Sequence, residues 1–123
     1  MYKTHTTTRK NPVRLQHNHL LRNTHSKNIE ISIVIPIYNE EQNIPTLYYR
    51  LQTVLTQLKK TRQIIFVDDG SKDNSFNEML KLKENDRNIR IIKFRRNFGQ
   101  TAAFDAGFKH ANGDIIIVIL KSL

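Results

Sequence analysis

From residue 29 onward, aliphatic runs alternate with stripes at helical spacing. The runs at 30–37, 63–67, 89–94 and 114–120 are short and rich in β-branched residues. Near-continuous aliphatic stretches of that length suit strands buried on both faces. Between the first two runs, Leu47, Leu51, Val54, Leu55 and Leu58 share one helical stripe within residues 43–60. Pro45 fits only the first turn of that helix, where its missing N–H costs nothing. Asp73 can cap a second helix running to about residue 83, with Phe76, Met79 and Leu80 turned inward. A third helix is expected over about 101–111, stopped by Asn112-Gly113 in a left-handed turn. The order βαβαβαβ predicts an α/β fold with a parallel, Rossmann-like sheet and right-handed crossovers. The first of these strands is expected beside the second, with the fourth on its other side.

Residues 1–28 follow no such pattern. They are rich in Thr, His and Asn, and hold six Lys/Arg with no acid. Too little apolar surface is available there to offset the cost of ordering the backbone. The expected division is a disordered basic leader at 1–28 and one folded unit at 29–123. The formal charge of the chain is +9, but 29–123 carries fourteen Lys/Arg against eleven Asp/Glu, or +3. Basicity therefore resides mostly in the leader. It reads as a solvated tail, with contact to acidic lipid headgroups or to nucleic acid as the alternative. His5, His17, His19 and His25 also lie there, in a setting poor for an ordered metal site.

Other classes are excluded more simply. The chain has no cysteine, so there is neither a disulfide nor a thiolate site. The longest apolar run, 115–120, is six residues, where a bilayer span needs about 20. No apolar segment follows the basic N-terminal residues as a signal peptide requires. The expected location is cytoplasmic, with membrane-surface contact limited to residues 1–28.

In open α/β sheets, ligands lie outside the carboxyl ends of the strands. Three such ends carry polar equipment. At the first, Pro36 ends the ladder, Tyr38 offers an aromatic face and a hydroxyl, and Glu40 can accept hydrogen bonds from a ribose diol. The same residues also suit a plain helix start, with Asn39 as cap and Glu40 and Glu41 near the positive terminus. At the second, Asp68-Asp69-Gly70-Ser71 places two carboxylates side by side, so the local structure must supply donors. A carboxylate held there can accept an N–H of a uracil or guanine edge; the alternative is a turn with Asp68 bonded to nearby backbone. At the third, Arg95, Arg96, Asn97 and Gly99 form a loop before a helix, a setting for an anion or a solvated basic loop. No phosphate-binding glycine fingerprint and no serine-hydrolase signature is present.

Five segments in order carry a family resemblance. They are Ser32-Ile33-Val34-Ile35-Pro36-Ile37-Tyr38-Asn39-Glu40-Glu41, Phe66-Val67-Asp68-Asp69-Gly70-Ser71, Arg96-Asn97-Phe98-Gly99-Gln100 followed by Ala102-Ala103, Ala106-Gly107-Phe108, and Gly113-Asp114. Over about 87 residues the chain resembles family 2 glycosyltransferases of the GT-A fold, especially the branch making polyprenyl-phosphate sugars. The resemblance implies the N-terminal nucleotide-binding half of that fold. It implies that Pro36, Tyr38 and Glu40 cradle the nucleoside, that Asp69 reads the base, that Asp68 is structural, and that Asn97 and Gly99 line the loop below the sugar nucleotide. The implied partners are a UDP- or GDP-sugar and a lipid-phosphate acceptor, with no specific nucleic acid. The implied chemistry is inverting sugar transfer to an acceptor already anionic at neutral pH. It calls for charge stabilisation of the leaving diphosphate rather than a strong base.

The pattern then departs from the family. A full-length relative is expected to carry Asp-x-Asp for Mg²⁺ or Mn²⁺ at the end of the fourth run, where this chain has Leu120, Lys121 and Ser122. By register Leu120 and Ser122 replace the two aspartates, so no metal ligand and no catalytic residue is assigned. The expectation is a truncated, inactive glycosyltransferase domain. Its alternatives are a non-catalytic nucleotide-binding module, one half of a split enzyme, or a lipid-surface or nucleic-acid binder acting through the basic tail.

Overall fold

A computed structural model describes residues 2–7 and 28–121. Its elements run β1 (Tyr2–Thr7), β2 (Ile31–Ile37), α1 (Ile44–Leu58), β3 (Arg62–Asp68), α2 (Ser75–Asn85), β4 (Ile89–Lys93), α3 (Gln100–His110) and β5 (Ile115–Lys121). They build one five-stranded sheet in the order β1-β5-β2-β3-β4. The four strands β5, β2, β3 and β4 are parallel, with Ile33 opposite Ile64 on one side and Ile117 on the other. This is the expected parallel arrangement, with β2 central. β1 adds an antiparallel strand, so the sheet is mixed.

That strand corrects part of the leader expectation. Residues 2–7 pair with β5 from Tyr2↔Lys121 to Thr7↔Ile116. Lys3 and Thr4, the side chains described in this strand, are exposed. The edge of β5 presents a row of unpaired backbone groups, and any extended segment can satisfy them whatever its composition. Residue 1 and residues 8–27 of the expected leader, and with them His17, His19 and His25, lie outside the described residues.

Strand alternation feeds two cores. Ile31, Ile33, Ile35 and Ile37 of β2 pack with Ile44, Leu47 and Leu55 of α1 and Met79 of α2 on one face. Val34, Ile65, Val67, Ile116 and Val118 pack with Ala103 and the partly buried Phe104 and Phe108 of α3 on the other. Three expected inward positions are exposed instead: Val54, Leu58 and Leu80. The buried ridge of α1 is Leu47, Leu51 and Leu55 at i+4 spacing, and in α2 Leu82 rather than Leu80 reaches the core. A single helix layer covers one arc of each helix, narrower than the apolar stripe.

The α3–β5 connection also differs from expectation. Among described residues, positive φ occurs only at Asn39, Lys59, Gly70 and Gly99, so Asn112-Gly113 makes no left-handed stop. Gly113 is needed for space: a Cβ there would lie 2.6 Å from the Ser32 amide nitrogen and 2.7 Å from its hydroxyl. The buried Ser32 hydroxyl donates to Gln63 Oε1 at 2.6 Å and accepts the Gly113 N–H at 2.7 Å. Gln63 Oε1 also accepts the Asn112 N–H at 2.7 Å. Ser32→Ala should strand the Gly113 donor and cost about 1–3 kcal/mol. The check is a thermal melt, and an unchanged midpoint would show this network to be dispensable.

Tyr48 of α1 donates to Asp86 Oδ2 at 2.6 Å, tying that helix to the end of α2. Burial, then the bond to Asp86, pushes the Tyr48 hydroxyl up to about 12. The unfolded chain ionises this group near 10. Stability from it is therefore complete below about pH 10 and declines as pH rises toward 12, because the unfolded state loses its proton first. Tyr48→Phe should remove that part of the alkaline decline, as read by denaturant midpoints across pH 9–12.

Candidate functional site

The carboxyl ends of β2, β3, β4 and β5 meet along one rim. β2 leaves the sheet after Ile37. Pro36 does not end the ladder, as expected from its missing N–H. It remains within β2 opposite Val67, beyond the last β2–β5 pair at Val34↔Val118. Tyr38 follows, exposed, and Asn39 turns the chain at φ 51°. Asn39 does not cap α1, whose cap position is Asn43. It joins the β2 loop to the β3 loop instead. Its N–H donates to Ser71 Oγ at 2.9 Å, and its Oδ1 accepts the Lys72 N–H at 2.8 Å.

Glu40 and Glu41 continue that stitching. The Glu40 N–H donates to the buried Ser75 hydroxyl at 2.8 Å. The Glu41 N–H donates to Asp73 Oδ2 at 3.2 Å, while Asp73 Oδ1 accepts the Ser75 N–H at 2.9 Å. Asp73 thus braces the start of α2 as anticipated, although the cap position itself is Asn74. Burial alone would raise the Asp73 carboxyl, but bonds from Ser75 and Glu41 hold it below the usual carboxylate range. The Glu40 side chain is 5% exposed, accepts Asn43 Nδ2 at 2.6 Å, and forms an ion pair with Lys121 at the end of β5. Sequence reasoning missed Lys121 as a neighbour of this site, since 81 residues separate the pair.

The adjacent carboxylates of β3 solve their repulsion by facing different donors. Asp68 is fully buried, and its Oδ1 accepts the Ser71 N–H at 2.9 Å. Its Oδ2 has no hydrogen-bond partner among the described residues. Asp69 is 4% exposed and grips the third loop. Its Oδ1 accepts the Phe98 N–H at 2.7 Å, and both oxygens lie within 3.2 Å of the Gly99 nitrogen. Asn97 Nδ2 donates to Asp69 Oδ2 at 3.1 Å and to its carbonyl oxygen at 3.2 Å. Gly70, at φ +75°, lets the backbone of Arg96 and Asn97 lie directly against β3's end.

All seven candidate positions, Pro36, Tyr38, Glu40, Asp68, Asp69, Asn97 and Gly99, therefore fall at this end of the sheet, on elements joined by the bonds above. Arg96 stacks its guanidinium 4.1 Å from the Phe98 ring, which meets Phe94 edge-on at 5.6 Å. The exposed Phe98 is a rim aromatic that the sequence reading did not single out. Leu120 turns to the α3 side and packs on the core with Val118. Ser122 lies outside the described residues. No group of three or more His, Cys, Asp or Glu that could hold a metal ion exists among the described residues. No helix among them is long and apolar enough to cross a membrane.

Comparison with known proteins bears on the family and the fold. The chain is 47% identical over 91 residues to an uncharacterised glycosyltransferase of Synechocystis, covering 74% of this chain and 29% of that protein. It is 44% identical over 91 residues to an undecaprenyl-phosphate 4-deoxy-4-formamido-L-arabinose transferase of Salmonella choleraesuis, covering 73% and 28%. The chain thus spans less than a third of the length of these curated relatives. Among solved structures, TarS residues 1–349 of S. aureus superpose with a TM-score of 0.58 at 22% identity, over 72% of this chain and 26% of that one. A Pyrobaculum calidifontis mannosyltransferase, in complex with GDP-Man and Mn²⁺, gives 0.59 at 16% identity, over 85% and 33%. At such identities the superpositions speak for the fold, which is that of GT-A glycosyltransferases. With residues 32–119 matching the family described as Glycosyl transferase family 2, this chain belongs to glycosyltransferase family 2.

Proposed function

We propose that this rim binds the nucleotide part of a UDP- or GDP-sugar. The observation that carries the reading is the convergence of three strand-end loops at one residue: the Asp69 carboxylate, at the end of β3, accepts the Phe98 and Gly99 N–H groups of the loop before α3, while the Asp69 N–H donates to the Ile37 carbonyl oxygen at the end of β2. In this reading Tyr38 supplies an aromatic face, Glu40 faces the ribose, and Asp69 offers its remaining acceptor direction to a base N–H. Pro36 and Asp68 shape the floor, and Asn97 and Gly99 line the loop below the sugar. The mannosyltransferase structure contains GDP-Man, which supports a nucleotide-sugar donor. The arabinose transferase relative is named for undecaprenyl phosphate, which supports a lipid-phosphate acceptor and work at a membrane surface.

The residues at the end of β5 do not suit a divalent cation. Leu120 is partly buried against the core and Lys121 brings a positive charge, and neither is a ligand for Mg²⁺ or Mn²⁺. No reaction step through a metal is derived for this chain. This favours a second reading, nucleotide binding without turnover, alone or as one half of a split enzyme. Calorimetry with UDP and GDP, with chelator or with excess Mn²⁺, separates the cases. Weak binding indifferent to metal, with no sugar transfer to a polyprenyl phosphate, is the expected result. Metal-dependent turnover would refute it, and absence of any nucleotide binding would remove the site assignment.

A further inference from the structure

We propose that Lys121 is the cation that receives the diphosphate of the bound nucleotide, at the strand end where a divalent metal does not fit. This inference rests on the nucleotide-site reading and deepens it, because it assigns the phosphate end of the ligand to a residue of this chain.

Strand order carries the argument. β5, β2 and β3 are consecutive in the sheet. The β2–β5 pairing runs to Val34↔Val118, and the β2–β3 pairing to Ile37↔Asp68. Lys121 stands as far past Val118 as Ile37 stands past Val34, so β5 and β2 end at one level. The Ile37 carbonyl accepts the Asp69 N–H at 2.8 Å, which brings Asp69 to that level too. Lys121 and Asp69 therefore flank the end of β2, two strand spacings or about 10 Å apart, a span that a nucleoside diphosphate covers. With the base at Asp69 on β3 and the ribose at Tyr38 and Glu40 beyond β2, the phosphates fall over the end of β5. Arg96 lies in the loop after β4, on the other side of β3, and is laid on the Phe98 ring at 4.1 Å.

Charge and side-chain direction agree. Glu40, Glu41, Asp68, Asp69 and Asp73 crowd this end of the sheet. A diphosphate added there meets repulsion that a local cation must offset. Leu120 packs on the α3 side, so strand alternation sends Lys121 to the opposite face. Its ammonium pairs there with Glu40, just before α1. The two partners differ in freedom. The Glu40 side chain is 5% exposed and is also held by Asn43, whereas that of Lys121 is 53% exposed. Glu40 thus stays in place while the lysine stem can lean toward an arriving phosphate. Lysine binds phosphate as a flexible point charge and needs no metal to do so.

Titration of the full chain followed by NMR, with chelator present, tests the assignment. UDP and GDP are each compared with their nucleosides, uridine and guanosine. The nucleotide that wild type accepts should bind tighter than its nucleoside, and added salt should narrow the difference. Lys121→Met keeps the stem and removes the charge. It should weaken the diphosphate about tenfold and leave the nucleoside within about twofold. Lys121→Arg should restore most of the difference. Lys81→Met, which removes a cation of α2 paired with Glu78, should change neither affinity and so controls for net charge. A merely structural role of Lys121 would weaken diphosphate and nucleoside alike, and that result overturns the proposal. So does a Lys121→Met variant with unchanged diphosphate affinity, or Mn²⁺ in place of chelator tightening the diphosphate equally in wild type and Lys121→Met. Nucleoside binding with no gain from the diphosphate refutes the role of Lys121 and leaves the base and ribose site standing, whereas no binding of either ligand refutes both.

Discussion

Asp69→Ala is expected to abolish nucleotide binding and to release the loop before α3 in the same step. One carboxylate accepts the N–H groups of Phe98 and Gly99 and the amide of Asn97. Alanine removes all three acceptor contacts and leaves backbone donors unpaired at the start of a helix. Hydrogen bonds to a charged group contribute about 1.5–3 kcal/mol, and partial access of water to this loop offsets some of the loss. A net destabilisation of about 1–3 kcal/mol follows. Calorimetry with UDP and GDP checks binding, and amide exchange at Phe98 and Gly99 checks the loop. Unchanged exchange together with lost binding would make Asp69 a base reader only. Unchanged binding would remove it from the site. Asp69→Asn keeps the shape but turns a donor toward one of these N–H groups, so it should fall between wild type and alanine.

Gly70→Ala should be the most damaging small substitution in the site. Gly70 sits at φ +75°, and an added Cβ would lie 2.2 Å from the Arg96 carbonyl carbon and 2.4 Å from the Asn97 nitrogen. Both are backbone atoms, so no side-chain rotation relieves the contact. The left-handed conformation alone costs a non-glycine residue about 1–2 kcal/mol. Moving residues 96 and 97 would also pull the loop off Asp69, so the total should exceed about 3 kcal/mol. Gly99 supplies the comparison: its φ is +102°, but nothing lies within 4 Å of the position of a Cβ. Gly99→Ala should therefore show backbone strain alone, about 1–3 kcal/mol. Denaturant unfolding of the two variants checks the order. A Gly70→Ala variant more stable than Gly99→Ala would show that the loop yields easily and that close contact at Gly70 is not what holds it.

Local pattern alone determined the parallel strands, the three helices and the placement of Tyr38, Glu40 and Asp69 at one rim. Each of these depends on periodicity and on polar residues at strand ends, and both are properties of neighbours in the chain. Which side of each helix became buried was not local. Val54, Leu58 and Leu80 satisfy the helical stripe as well as Leu51 and Leu82 do, and only the seating of α1 and α2 on the sheet separates them. The reason for Gly113 was likewise hidden, because the space it vacates belongs to Ser32, 81 residues away. The tertiary structure also decided that Asp69 faces Phe98 and Gly99, and that Lys121 reaches Glu40. The strand at residues 2–7 was the least visible of all. Its residues carry no strand pattern of their own, and what orders them is the open ladder of β5, a partner more than 100 residues distant. Interactions within a few residues can be read from side-chain order. Those that close long loops depend on which backbone edges and cavities the rest of the chain leaves available.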